Sequence, residues 1–276
     1  MHSVGLTINL IYKFLGNTKE KIPAIGIGTW AIDRNGIEAI RYFIEHDSGL
    51  IDTAEMYGTE GIVAESIKGY DRSKVFIIDK VWTNHLSHDT CIKACEASLR
   101  RLGTSYIDLY LVHWPSYEVP ISETMRAFEE LVDAGKVRHI GVSNFSIEQF
   151  EEAQASLKRT ELVANEIKFN IIEKRQAMEF IEYAKKSKIT VIAYSPLVRG
   201  IENISTSKGV YAKLLELSNK YNKTVAQIAL NWVISHEQVV AIPKTSKLEH
   251  AKENLEAANF NLSEKEIKEL DSMGSV

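Results

Sequence analysis

Four side chains in this sequence could together manage a proton and a developing negative charge: Asp52, Tyr57, Lys80 and His113. They stand at or just beyond the ends of three successive β-branched runs. The run 50–52 continues into Thr53-Ala54-Glu55-Met56-Tyr57-Gly58, the run 75–80 into Val81-Trp82, and the run 107–113 into Trp114-Pro115. A phenol with its ordinary pKa near 10 is a poor proton donor at neutral pH. A neighbouring ammonium stabilises the phenolate and lowers that pKa, and a carboxylate keeps the ammonium charged and oriented. A histidine opposite the phenol can hydrogen-bond the same substrate oxygen. This division of labour suits carbonyl reduction, in which alkoxide charge develops as a hydride arrives. Each residue alone reads as a solvated rim residue or a satisfied core residue; the set carries the chemistry.

Such residues need a scaffold that brings several strand ends together. Strand-like runs recur at 24–28, 50–52, 75–80, 107–113, 139–143, 162–167, 190–194 and 239–243, with helical patterns between them. The helix over 126–135 places Phe128, Leu131 and Val132 on one face and stops at a glycine. Ser146-x-x-Gln149, Ser246-x-x-Glu249 and Ser263-x-x-Glu266 read as capping boxes that open three further helices. Alternating strands and helices predict a parallel sheet. Eight repeats in about 250 residues predict an α/β fold, the (β/α)8 TIM barrel, whose site forms at the C-terminal strand ends. The stretches 6–11 and 19–24 read as an N-terminal β-hairpin. No linker-like tract divides the chain, so residues 1–276 are expected to form a single domain.

Composition excludes other classes. The chain is 45% hydrophobic and 25% charged, with a net charge of −4 from scattered Lys and Arg. A nucleic-acid or polybasic membrane binder would show a clustered basic excess. The longest apolar runs fall well short of the roughly 20 residues that span a bilayer. The N-terminus lacks the basic and apolar regions of a signal peptide. Two cysteines fit a reducing compartment, so a cytoplasmic protein is expected.

Along its whole length the sequence resembles the aldo-keto reductase superfamily. The matching stretches are Gly26-Ile27-Gly28-Thr29-Trp30, Asp52-Thr53-Ala54 with Tyr57-Gly58, Lys80-Val81-Trp82 and His113-Trp114-Pro115. The run from Glu130 to Phe145 follows, then Ala193-Tyr194-Ser195-Pro196-Leu197 and Ile242-Pro243-Lys244-Thr245. The resemblance implies a catalytic tetrad of Asp52, Tyr57, Lys80 and His113. It also implies a nicotinamide cofactor across the barrel mouth, NADP(H) favoured and NAD(H) the alternative, with no metal. By the same carry-over, Thr29 and Asp52 contact the cofactor, Ser143, Asn144 and Glu166 meet the nicotinamide, and Tyr194 stacks on its ring. Ser195 and Leu197 line the pyrophosphate path. Lys244, Thr245 and His250 surround the 2′-phosphate, and Glu253 and Asn254 meet the adenine. Trp30, Trp82, His113 and Trp114 wall a pocket for a small carbonyl substrate. A monomer or small homo-oligomer is expected.

Two positions depart from the family pattern. His250 stands where arginine is common, and an imidazole grips a phosphate less well than a forked guanidinium. Glu166 stands where glutamine is common; a carboxylate there can accept from a carboxamide but cannot donate, and its charge would favour the oxidised, cationic ring. Other motifs read as decoys. Gly26-Ile27-Gly28 lacks the immediately following helix of a dinucleotide fingerprint. Tyr70-x-x-x-Lys74 lies in a connection. Cys91 and Cys95 read as a buried helix face, and His85 and His88 as solvated loop residues. The competing functions are a redox-sensing regulatory protein of the same fold with slow turnover, and a lyase using Lys80 as a Schiff-base nucleophile. The short 114–122 connection and the nearby chain end predict a shallow site for small aldehydes, ketoaldehydes or keto esters.

Overall fold

The computed structural model describes residues 10–274. An antiparallel hairpin of β1 (Tyr12–Phe14) and β2 (Lys21–Pro23) comes first. Parallel strands follow in sequence order: β3 (Ile27–Gly28), β4 (Leu50–Asp52), β5 (Phe76–Val81), β6 (Ile107–Val112), β7 (Val137–Ser143), β8 (Leu162–Lys168), β9 (Thr190–Tyr194) and β10 (Val239–Ala241). Helices lie between consecutive strands from β3 onward. The first and last strands meet: the Gly26 N–H donates to Ala241 at 2.8 Å and the Gly28 N–H to Pro243 at 3.1 Å. The result is a (β/α)8 barrel with an N-terminal hairpin. A Cβ on Gly26 would lie 2.5 Å from the Leu50 carbonyl oxygen, and one on Gly28 2.9 Å from that of Ile242. These two glycines serve close backbone approach at the barrel seam rather than a pyrophosphate.

Strand alternation decides what fills the interior. The inward residues are Leu50 then Asp52, Phe76 then Ile78 then Lys80, Leu109 then Leu111 then His113, Ala164 then Glu166, and Ile192 then Tyr194. Their lower members form one buried apolar cluster with Val240 and Ile242, closed from below by Leu15 and Ile22 of the hairpin region. The outward residues, including Ile51, Ile77, Tyr110, Val142 and Val191, join a second cluster beneath the helices. The interior therefore turns from aliphatic to polar within one or two steps along each strand, at the C-terminal end.

Several element boundaries differ from expectation. The first hairpin strand lies at Tyr12–Phe14, later than 6–11, of which residues 6–9 fall outside the described residues. The run 24–28 shortens to Ile27–Gly28, with Ile25 making only an isolated bridge to Ala241. Ser146 and Ser263 form the expected capping boxes. Ser246 does not: the helix Leu248–Glu256 is preceded by Lys247 with no side-chain cap, because the Thr245 hydroxyl accepts the Lys247 N–H at 3.0 Å and moves the start one residue on. Thr224 and Gln227 make a capping box the sequence reading did not single out.

Candidate active site

Lys80 is fully buried and sits at the centre of the mouth. Its Nζ pairs with Asp52 Oδ1, donates to the Thr53 carbonyl at 3.0 Å, and lies 3.5 Å from the Tyr57 hydroxyl. A second carboxylate, Glu166 Oε2, stands 3.3 Å from the same Nζ. His113 meets the Tyr57 ring edge-on, with centroids 5.4 Å apart. Tyr57 ends a short turn, Glu55–Tyr57, closed by Gly58 at φ +68. That turn reaches back over the barrel end because β4 stops after three residues.

Burial and charge set the protonation states. Burial alone would lower the Lys80 pKa, but Asp52, Glu166 and Tyr57 together hold it well above its ordinary value. Lys80 is thus a cation, not the neutral amine a Schiff-base nucleophile requires. Burial raises the Tyr57 phenol, and the nearby Lys80 charge opposes that only in part. The expectation of a net lowered phenol is therefore corrected for the ligand-free protein. Burial first, then Lys80, pushes His113 down to about 3, so its imidazole is neutral at pH 7. Glu166 is held well above the usual carboxylate range by burial and by Asp52, with Lys80 opposing.

These groups open on a cleft of about 780 Å³. Of the residues singled out from the sequence, Trp30, Asp52, Tyr57, His113, Trp114, Ser143, Asn144, Glu166, Tyr194, Ser195, Leu197, Lys244, Thr245, His250, Glu253 and Asn254 all line it. Around Asn144 the wall is tightly ordered. Its amide donates to the His113 carbonyl at 3.1 Å and to Ser143 Oγ at 3.0 Å, and its oxygen accepts from Tyr194 Oη at 2.9 Å. In that wall the buried atoms His113 Nδ1 and Glu166 Oε2 have no hydrogen-bond partner. The far end carries Lys244, Lys247, His250 and the uncapped start of the helix Leu248–Glu256. Cations beside free helical N–H donors suit a phosphate, whereas the amide and phenol of the near end suit a planar carboxamide-bearing ring. The donor set thus fits a phosphorylated nicotinamide cofactor.

Lys80 itself stands behind Asp52 and Tyr57 rather than on the cleft surface. Two other expected residues do not line the cleft. Thr29 is fully buried, its hydroxyl 2.9 Å from that of Thr59. Trp82 meets His113 edge-on, with ring centroids 5.0 Å apart. His85 and His88 are not free loop residues. His85 Nδ1 lies 3.1 Å from Glu55, and His88 opens the helix His88–Leu102 with its ring on Asp89 and Glu130. Glu55, which the sequence reading passed over, also accepts the Trp82 backbone N–H, pinning the loop that carries Trp82 and His85. Arg199 was missed too; its guanidinium lies 5.4 Å from the Trp30 ring centroid across the cleft. Its only sequence signal is its place just after Ser195-Pro196-Leu197. Cys91 and Cys95 are buried and unbridged. Among the described residues no group of three or more potential ligands could hold a metal, and no helix is long and apolar enough to cross a membrane.

Comparison with known proteins gives the site its context. The chain is 35% identical over 259 residues to the methylglyoxal reductase YeaE of Escherichia coli, covering 91% of this chain and 90% of that one. It is likewise 35% identical over 262 residues to the glyoxal reductase of Bacillus subtilis, covering 92% and 89%. Among solved structures it is similar to the thermostable aldo-keto reductase Tm1743 in complex with the inhibitor epalrestat, at 40% identity and a TM-score of 0.89, covering 96% of this chain and all of that one. It is also similar to an aldo/keto reductase of Klebsiella pneumoniae in complex with NADP and acetate, at 34% identity, TM-score 0.83 and 94% coverage of each chain. The profile of the Aldo/keto reductase family matches residues 24–275, and the chain belongs to that family.

Proposed function

We propose that this protein reduces small aldehydes or ketones to alcohols with NADP(H), with Tyr57 as the general acid. The observation that supports this best is the convergence of Tyr57, Lys80 and Asp52 at the mouth of a cleft whose far end carries Lys244 and His250. Bound nicotinamide would supply the hydride. Ser143, Asn144, Glu166 and Tyr194 would hold its ring, Ser195 and Leu197 its pyrophosphate, and Lys244, Thr245 and His250 its 2′-phosphate, with Glu253 and Asn254 at the adenine. His113, neutral at pH 7, orients the carbonyl oxygen by a hydrogen bond and does not compete as an acid. Tyr57 donates its proton to that oxygen, and Lys80, held charged by Asp52, stabilises the phenolate left behind. Trp30 and Trp114, 49% and 43% exposed, form apolar walls open to solvent, as small substrates such as the ketoaldehydes of the relatives would need. Use of NADH as an alternative follows from His250 in place of arginine. The buried, unbridged cysteines suit a reducing, cytoplasmic setting.

The test is a fluorescence titration with NADPH and NADH, then an aldehyde and ketoaldehyde panel followed by cofactor oxidation. Tight cofactor binding with aldehyde-dependent oxidation supports the reading. Cofactor binding without turnover across the panel would favour the regulatory alternative.

A further inference from the structure

The mouth holds one buried cation for two buried carboxyl groups. Lys80 is fully buried, Asp52 is 3% exposed and Glu166 2%. Lys80 pairs directly with Asp52 and lies 3.3 Å from Glu166 Oε2, an oxygen with no hydrogen-bond partner. The other ionisable groups facing Glu166 bring no second cation: Tyr57 and Tyr194 are phenols, and His113 is neutral. With both carboxyls ionised, the cluster would carry a net buried negative charge, which a low-dielectric interior strongly disfavours. One retained proton makes it neutral. Asp52 has the direct ion pair, so the proton belongs on Glu166, within reach of Asp52 as its acceptor.

We propose that Glu166 is a proton-holding residue that stays protonated in the resting protein and in the reduced-cofactor complex, and releases its proton when oxidised cofactor binds. The inference rests on the nicotinamide reading above. Glu166 lines the same wall as Ser143, Asn144 and Tyr194. The oxidised ring is a cation and the reduced ring is neutral, so only the oxidised form supplies the second positive charge that two carboxylates need. The Glu166 carboxyl gives its proton to solvent, and the carboxylate left behind pairs with the ring. A glutamine here could not make this exchange, so oxidised-cofactor affinity becomes pH-dependent in this chain.

The test is calorimetric titration of the intact protein with NADP+ and NADPH near neutral pH, in two buffers of different ionisation enthalpy. Wild type should release about one proton per NADP+ bound and about none per NADPH. Glu166→Gln should release about none with either. Wild-type NADP+ affinity should rise about tenfold per pH unit below the point where Glu166 ionises, and the variant should be flat. An infrared measurement reads the same group directly. In the difference spectra, one protonated-carboxyl band of ligand-free wild type should be missing from Glu166→Gln, and the same band should be lost from wild type when NADP+ is added. The buried Asp79, on the opposite face of β5, contributes equally to both proteins. Nucleotide binding with the same proton count in wild type and variant would overturn this proposal alone. Failure of both nucleotides to bind would overturn the cofactor reading with it.

Discussion

Asp108 and the Asp52–Glu166 pair are buried carboxyl groups at opposite ends of one barrel, and their surroundings differ in a single respect. Asp108, at the start of β6 and 1% exposed, accepts from the Ile77 N–H at 2.9 Å, Arg72 at 2.6 Å and Arg138 at 2.8 Å. One carboxylate there has two cations. At the mouth, two carboxyls share Lys80, and one of their oxygens has no hydrogen bond. Burial costs both ends alike. Where donors exceed charge, the group is spent on holding the fold. Where charge exceeds donors, the group keeps a proton and an oxygen without a hydrogen bond, which a ligand can partner. The same contrast separates the apolar lower interior from the cleft above it.

The largest test of this contrast is removal of the shared cation. Lys80→Met should lower kcat about 10²–10⁴-fold, the range for disabling general acid catalysis, and should move any remaining basic limb of the pH–rate profile. Steady-state kinetics across pH check it, and an unaltered rate and profile would break the assignment of Lys80 to chemistry. Asp108→Asn should do the reverse. It should cost about 2–3 kcal/mol of stability, below the usual 3–5 for breaking a buried pair because Arg138 is 45% exposed. Its kcat should stay within about twofold of wild type. Denaturant unfolding beside kinetics would show this; a strong loss of kcat in the folded variant would erase the distinction between the two ends.

At the far end of the cleft the effect is smaller. His250→Arg should tighten NADPH binding by about 1–3 kcal/mol, the range for hydrogen bonds to charged groups, with NADH nearly unchanged. Equal NADPH affinity in both proteins at pH 8 would place the phosphate elsewhere. The most gradual effect concerns stability against pH. Because Glu166 is raised in the folded state, the folded protein binds more protons than the unfolded chain above about pH 4.3. Its contribution is complete below that pH and is lost as pH rises through the folded value. Glu166→Gln should therefore flatten the profile and gain on wild type as pH rises from about 5 toward neutrality, by about 1.4 kcal/mol for each pH unit over which the folded carboxyl keeps its proton. Parallel unfolding curves in this window would contradict the proton count at the mouth.

Much of this architecture is readable from local pattern. The β-branched runs with helices between them specify the barrel, and most runs end at or next to the residue that reaches the mouth; in the run 162–167 it is Glu166, while the final Ile167 packs outward. What escapes the sequence depends on partners far along the chain. Thr29 is tied to Thr59, and the Trp82 backbone N–H to Glu55 with its ring edge-on to His113; neither contact has a signature in spacing. The Ser246 box fails for a local reason: the Lys247 N–H turns to the Thr245 hydroxyl, and the helix starts at Leu248 with Lys247 before it. The glutamate at 166 is visible as a departure, but its sharing of Lys80 with Asp52 exists only once β4, β5 and β8 are brought round the barrel. Burial likewise reverses the expected direction at Tyr57, and no sequence window reports it.

The most direct test of the central claim is Tyr57→Phe, with kcat for aldehyde reduction and cofactor dissociation constants measured on the same protein. The change removes one hydroxyl and leaves the ring against His113. The account predicts a kcat about 10²–10⁴-fold below wild type, with NADPH affinity nearly unchanged. Near-normal turnover in that variant would contradict it and would remove Tyr57 from the chemistry.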